Sequence, residues 1–134
     1  MDEIRIGLYL HIPFCQAKCA YCDFNSYAGL EHLYMPYVNA LAQEARWLAT
    51  RFPRLVGTLF LGGGTPTALP VGLLRQALSA CFDVFTVDDE AEITSEANPG
   101  TASPAYLREL RRLGVNRLSL GVQTFDPGEL AMLG

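Results

Sequence analysis

Three cysteines fall close together, at Cys15, Cys19 and Cys22, and a fourth, Cys81, is remote. Thiolates at spacings of four and three residues can wrap one soft metal centre. A structural zinc ion closes its tetrahedron with four ligands, and an iron–sulfur cube usually takes four thiolates. This loop supplies only three. Cys81 falls on the apolar stripe of a predicted helix and reads as a core cysteine. Two chemistries follow. One is a cube with an iron left open to bind a ligand. The other is a zinc knuckle completed by His11 or His32. His11 sits inside a predicted strand, where a packed or hydrogen-bonded role suits it. His32 opens a helix and reads as solvated.

A second motif is Leu61-Gly62-Gly63-Gly64-Thr65-Pro66-Thr67. Glycines after a strand let the backbone approach a ligand closely and expose its N–H groups. A phosphate loop needs Gly-Lys-Ser/Thr, and no lysine is near. A dinucleotide fingerprint needs a spaced third glycine, which is absent.

These motifs need elements to hold them. The residues at 8–12 read as a strand that Pro13 ends. Tyr34, Val38, Leu41, Ala45 and Leu48 recur at helical spacing within 33–50. Residues 56–61 form a compact apolar run of strand type, closed by the glycines. A helix over 71–82 and a strand over 91–95 follow. Ser103-Pro104 is a cap with proline at the first helical position, and Gly114 is placed to end that helix. Residues 118–123 alternate as a fourth strand, and Asp126-Pro127 starts a further helix. The acids Asp83, Asp88, Asp89, Glu90, Glu92 and Glu96 are read as a solvated connection.

Strand and helix alternate, so the fold class is α/β with a parallel sheet. An open doubly wound sheet and part of a barrel both satisfy the pattern. Either gathers chemistry at the carboxyl ends of the strands. The cysteines, the glycines, Glu96-Ala97-Asn98-Pro99 and Gln123-Thr124 all sit there. Glu96 alternates with Ile93 and Ser95, and Gln123 with Leu118, Leu120 and Val122. Both are expected on the face opposite the apolar one. A barrel of this kind needs roughly six to eight units. About four βα units are present, so a truncated chain is expected.

The chain has 134 residues, which suits one domain. Half are hydrophobic and 18% are charged, as in an ordered protein. Net charge is −4, with 14 acids against 10 bases, which argues against a nucleic-acid binder. No apolar run approaches the ~20 residues of a membrane span. The opening Met1-Asp2-Glu3-Ile4-Arg5 does not read as an export signal, and a cytoplasmic location is expected.

The Cys15-x-x-x-Cys19-x-x-Cys22 pattern, with Tyr21 before the last cysteine, resembles the radical S-adenosylmethionine (SAM) superfamily. Three stretches narrow the resemblance: Tyr9-Leu10-His11-Ile12-Pro13-Phe14-Cys15, Gly62-Gly63-Gly64-Thr65-Pro66-Thr67, and Leu118-Ser119-Leu120-Gly121-Val122-Gln123. Together they are similar to the oxygen-independent coproporphyrinogen III oxidase family, which includes the HemW heme chaperones. The resemblance implies a partial (β/α) barrel, with residues 1–134 forming the amino-terminal part of a radical SAM core domain. It implies a [4Fe-4S] cluster on Cys15, Cys19 and Cys22. It implies SAM contacts from Tyr9, Tyr21, Gly63, Gly64, Thr65, Glu96 and Gln123. It implies reductive chemistry on SAM, with an electron donor such as flavodoxin or ferredoxin.

Within the family, the oxidase branch carries a further cysteine two residues after the last cluster ligand. Here that position is Phe24, in Cys22-Asp23-Phe24-Asn25-Ser26. The departure points to the chaperone branch, which binds heme and hands it to a recipient protein. The alternative is the porphyrinogen oxidase of heme biosynthesis.

Overall fold

A computed structural model describes residues 4–133. Four strands, β1 (Ile6–Ile12), β2 (Val56–Gly63), β3 (Val87–Ala97) and β4 (Arg117–Leu120), alternate with four helices. These are α1 (Tyr34–Arg51), α2 (Val71–Phe82), α3 (Pro104–Arg112) and α4 (Pro127–Leu133). Short 3₁₀ turns at Glu31–Leu33 and Pro66–Ala68 lead into α1 and α2. All strand pairs are parallel and lie in chain order, β1-β2-β3-β4. A doubly wound sheet reverses its strand order at a switch point. No reversal occurs among the described residues, so the sheet is wound as part of a barrel.

The two faces of the sheet differ as a barrel wall requires. Leu10, Ile12, Leu59, Leu61, Ala91 and Ile93 point to the helices and are buried. Leu74, Ala77, Leu78 and Cys81 of α2 and Val38 and Ala45 of α1 close on them. Fully burying a leucine side chain contributes about 1.5–3 kcal/mol, so this layer dominates stability. The opposite face carries Tyr9, His11, Phe60, Thr94, Glu96 and Ser119 in alternation with the core residues.

Local chemistry sets several boundaries where the sequence indicates. The Ser103 side chain accepts from the Tyr106 amide at 3.2 Å, with Pro104 at the first helical position. Gly114 ends α3 with φ +99°, a conformation that costs other residues energy. Asp126 Oδ1 accepts from the Gly128 and Glu129 amides and starts α4. Helix α2 occupies the predicted span.

Three expectations need correction. The acid-rich segment is not a loop, because β3 begins at Val87. Its acids are accommodated by an irregular register: Val56 pairs with Val87, but Thr58 already pairs with Glu92. The intervening residues bulge out of the ladder, and Asp88 meets Arg5 at 2.9 Å. The glycines do not close β2, since the strand runs on through Gly62 and Gly63. The fourth strand stops at Leu120, and Gln123 has φ +65°, so strand alternation does not reach it.

Candidate functional site

The cysteine loop starts where β1 ends. Phe14 is buried and packs on Tyr34 and Tyr37 of α1, with ring centroids 4.5 and 5.2 Å away. Tyr37 also donates to the His11 carbonyl at 2.6 Å. These contacts fix the backbone just before Cys15. The loop then returns on itself. The Cys15 amide donates to the Tyr27 carbonyl at 2.9 Å, and the Tyr27 amide donates to the Pro13 carbonyl at 2.7 Å. Inside it, the Cys22 amide donates to the Cys19 carbonyl at 3.0 Å. Lys18, the only lysine of the chain, donates to the carbonyls of Phe24 and Ser26 at 3.1 and 3.0 Å.

The glycine segment crosses directly behind this loop. A Cβ on Gly64 would lie 2.6 Å from the Phe14 carbonyl oxygen and 3.0 Å from Cys15 Sγ. Only glycine allows the two backbones to approach so closely. Its amides are not left free for a ligand, contrary to expectation. Gly63 donates to Glu96 Oε2 at 3.2 Å, Gly64 to the Ile12 carbonyl at 2.8 Å and Thr65 to the Phe14 carbonyl at 2.7 Å. The glycines therefore join three strand ends rather than forming an anion nest.

All four strand ends meet around one cavity of about 180 Å³. Cys15, Cys19, Cys22, Tyr21, Gly63, Gly64, Thr65, Glu96 and Gln123 line it. Glu96 arrives by strand alternation, as expected. Gln123 arrives by its positive-φ turn instead. Tyr9 does not line this cavity. It stands on the same sheet face, stacked on Phe60 at 6.0 Å, with its hydroxyl 3.3 Å from His11 Nδ1. Its phenol is pushed above the ordinary range by desolvation first and by the Glu96 charge second. Tyr21 is shifted the same way, by desolvation and then by its hydrogen bond to Cys19 and the charges of Cys19 and Cys22.

Three cysteine side chains face the cavity. Cys15, Cys19 and Cys22 are half-buried free thiols. Among the described residues, no three His, Cys, Asp or Glu side chains converge where one metal ion could sit. Three thiols facing one cavity suit a soft metal centre. The histidines weighed for a zinc knuckle stand elsewhere. His11 Nε2 donates to the Asn25 carbonyl at 3.0 Å, which leaves Nδ1 to accept from Tyr9. His32 is exposed on the 3₁₀ turn. Cys81 is 2% exposed in the core, as read.

Three sets of supporting contacts are not legible in the sequence. Asn98 donates to Thr65 Oγ1 at 3.2 Å, and Thr65 donates to Cys15 Sγ at 3.7 Å. Ser26 Oγ lies 3.8 Å from Cys22 Sγ. Lys18 braces the cysteine loop. The one available signal was that a lone lysine falls between two cysteines.

Comparisons with known proteins agree with the fold. The Radical SAM superfamily profile matches residues 9–133. The heme chaperone HemW of Escherichia coli (strain K12) is 40% identical over 131 residues, covering 96% of this chain and 35% of that protein. The heme chaperone HemW of Bacillus subtilis (strain 168) is 41% identical over 128 residues, covering 94% and 34%. A solved structure of coproporphyrinogen III oxidase (HemN) from Escherichia coli, described as a radical SAM enzyme, superposes with TM-score 0.92 at 35% identity. It covers 98% of this chain and 31% of that one. The chain thus spans about a third of the length of the relatives it matches. From the cysteine loop, the sequentially ordered parallel sheet and the match over nearly its whole length, the chain belongs to the radical SAM superfamily.

Proposed function

We propose that this chain is the cluster- and SAM-binding part of a HemW-like heme chaperone, with residues 1–134 the amino-terminal part of its core domain. Cys15, Cys19 and Cys22 would hold a [4Fe-4S] cluster. When bound, such a cluster supplies an iron with an open coordination position and a one-electron redox couple. The chain's own residues then bind and orient SAM. An amino group is a donor and needs acceptors, and the Glu96 carboxylate at the cavity wall is a charged one. Gly63 and Gly64 keep the floor of the cavity free of side chains. Tyr21 offers an aromatic edge and backbone to the adenine, Gln123 a neutral amide from the β4 end, and Tyr9 a hydroxyl from the sheet face.

Phe24 carries the choice of branch. It is 71% exposed and lines the cavity, and the family resemblance implies that the oxidase branch bears an extra cysteine at this position. An apolar surface without a thiol suits holding heme more than oxidising porphyrinogen. The HemW relatives support the same reading. The similarity to HemN keeps porphyrinogen oxidation as the second reading. The remaining partners of the proposal are a heme-accepting protein and a flavodoxin- or ferredoxin-type electron donor, in the cytoplasm. No helix among the described residues is long and apolar enough to cross a membrane.

The test pairs two assays on the anaerobically reconstituted full chain. Heme titration is expected to show saturable binding, and incubation with coproporphyrinogen III, SAM and reductant to yield no protoporphyrinogen. Product formation without heme binding would reverse the assignment.

A further inference from the structure

We propose that Thr65 and Asn98 form a positioning relay behind Cys15, tuning the reduction potential of a cluster bound there. The inference rests on the reading of Cys15 as a cluster ligand. It differs in assigning the Thr65 hydroxyl to the ligand sulfur rather than to SAM.

A hydroxyl has one proton to give. Asn98 Nδ2 donates to Thr65 Oγ1 at 3.2 Å, so the oxygen's acceptor side is in use. The proton is directed at Cys15 Sγ, 3.7 Å away. Thr65 cannot easily turn from this arrangement. It is 3% exposed, its amide is held by the Phe14 carbonyl at 2.7 Å, and its carbonyl accepts from Ala68 at 2.8 Å.

Asn98 is fixed in turn. Its amide donates to Thr101 Oγ1 at 3.2 Å, and that hydroxyl lies 2.6 Å from Thr67 Oγ1, which is itself buried. A Cβ on Gly121 would stand 3.0 Å from Asn98 Oδ1, so the β4 end leaves room for the amide. The relay joins the ends of β2 and β3 to the Cys15 sulfur at the end of β1.

A hydrogen bond to a ligating thiolate stabilises negative charge on it. It therefore favours the reduced, more negative cluster and raises its potential. Loss of the donor should move the midpoint to a more negative value. Thr65→Val keeps the side-chain shape and removes the hydroxyl. Thr65→Ser restores it. Asn98→Ala frees the Thr65 proton from its orientation without touching the sulfur directly.

The experiment is an EPR-monitored redox titration of the anaerobically reconstituted full chain without SAM, with iron and sulfide measured on each sample. The expected midpoint is more negative for T65V, more negative by less for N98A, and close to wild type for T65S. A fully loaded T65V cluster with the wild-type midpoint overturns the relay while leaving the cluster assignment standing. Should T65V take up no cluster, the N98A midpoint decides, and an unchanged value overturns the relay. A wild-type chain that takes up no cluster overturns the assignment of Cys15 and the relay with it.

Discussion

Glu96 Oε2 accepts the Gly63 amide hydrogen at 3.2 Å, joining the ends of β3 and β2 at the cavity wall. The carboxylate is held in place by the backbone before any ligand arrives. A charge-assisted hydrogen bond contributes about 1.5–3 kcal/mol. Glu96→Gln should therefore weaken SAM binding roughly 10- to 100-fold, with the cluster content unchanged. Equilibrium dialysis of labelled SAM against the reconstituted variant measures this. Equal affinity in variant and wild type would remove Glu96 from the SAM site.

Replacing Cys15, Cys19 or Cys22 singly by alanine should abolish the broad visible absorbance of the reconstituted protein. Cys81→Ala should keep it, because Cys81 is buried in the core behind β1 and β2. Iron and sulfide assays decide. A loss on Cys81→Ala would make that residue a ligand.

Glycine substitutions should separate the site from the scaffold. Gly64→Ala drives a methyl against the Phe14 carbonyl at 2.6 Å, where only backbone can yield. It should cost roughly 1–3 kcal/mol and lower cluster uptake. Gly72→Ala meets nothing within 4 Å on α2, so it should be neutral or stabilise by up to about 1 kcal/mol. Chemical denaturation of both variants, beside iron content, gives the comparison. Equal stability losses would mean the close crossing behind the cysteine loop is not tight.

Alkaline pH should weaken the fold through Cys81. Burial pushes its thiol up to about 11 from an ordinary 9.0. The unfolded thiol then ionises first. Its contribution to stability is whole below pH 9.0 and is lost as pH rises to about 11, in all about 2–3 kcal/mol. Tyr106, also pushed up by burial, ionises on unfolding in an overlapping range. The readout is therefore the difference between wild type and Cys81→Ala in urea denaturation across that range. The variant should start roughly 1–3 kcal/mol less stable and lose less with pH. Parallel pH profiles would contradict the assignment.

Local chemistry made much of the fold legible. Ser103, Pro104 and Gly114 delimit α3 because caps act over one turn, and the stripe of α2 from Leu74 to Cys81 is periodic enough to read directly. The cysteine spacing likewise pointed to one end of the sheet, where the three thiols share a cavity. What stayed hidden depends on contacts across the sheet. Asp88, Asp89 and Glu90 look like loop, yet a register irregularity opposite Gly57 lets them bulge from a strand. The amides of Gly64 and Thr65 look free, yet the end of β1 takes them. Alternation puts Gln123 on a pleated strand, yet it reaches the cavity through a positive-φ turn. Asn98 is legible as part of the loop after β3, yet only the folded chain brings its side-chain amide to Thr65.

The claim on which the account stands is a cube held by three protein thiolates, with one iron open to SAM. EPR of the reduced, anaerobically reconstituted full chain, recorded with and without SAM beside metal and sulfide analysis, tests it most directly. The account predicts roughly four irons and four sulfides per chain, and a spectrum that changes when SAM is added. A single zinc ion, or a cube whose spectrum ignores SAM, would contradict it.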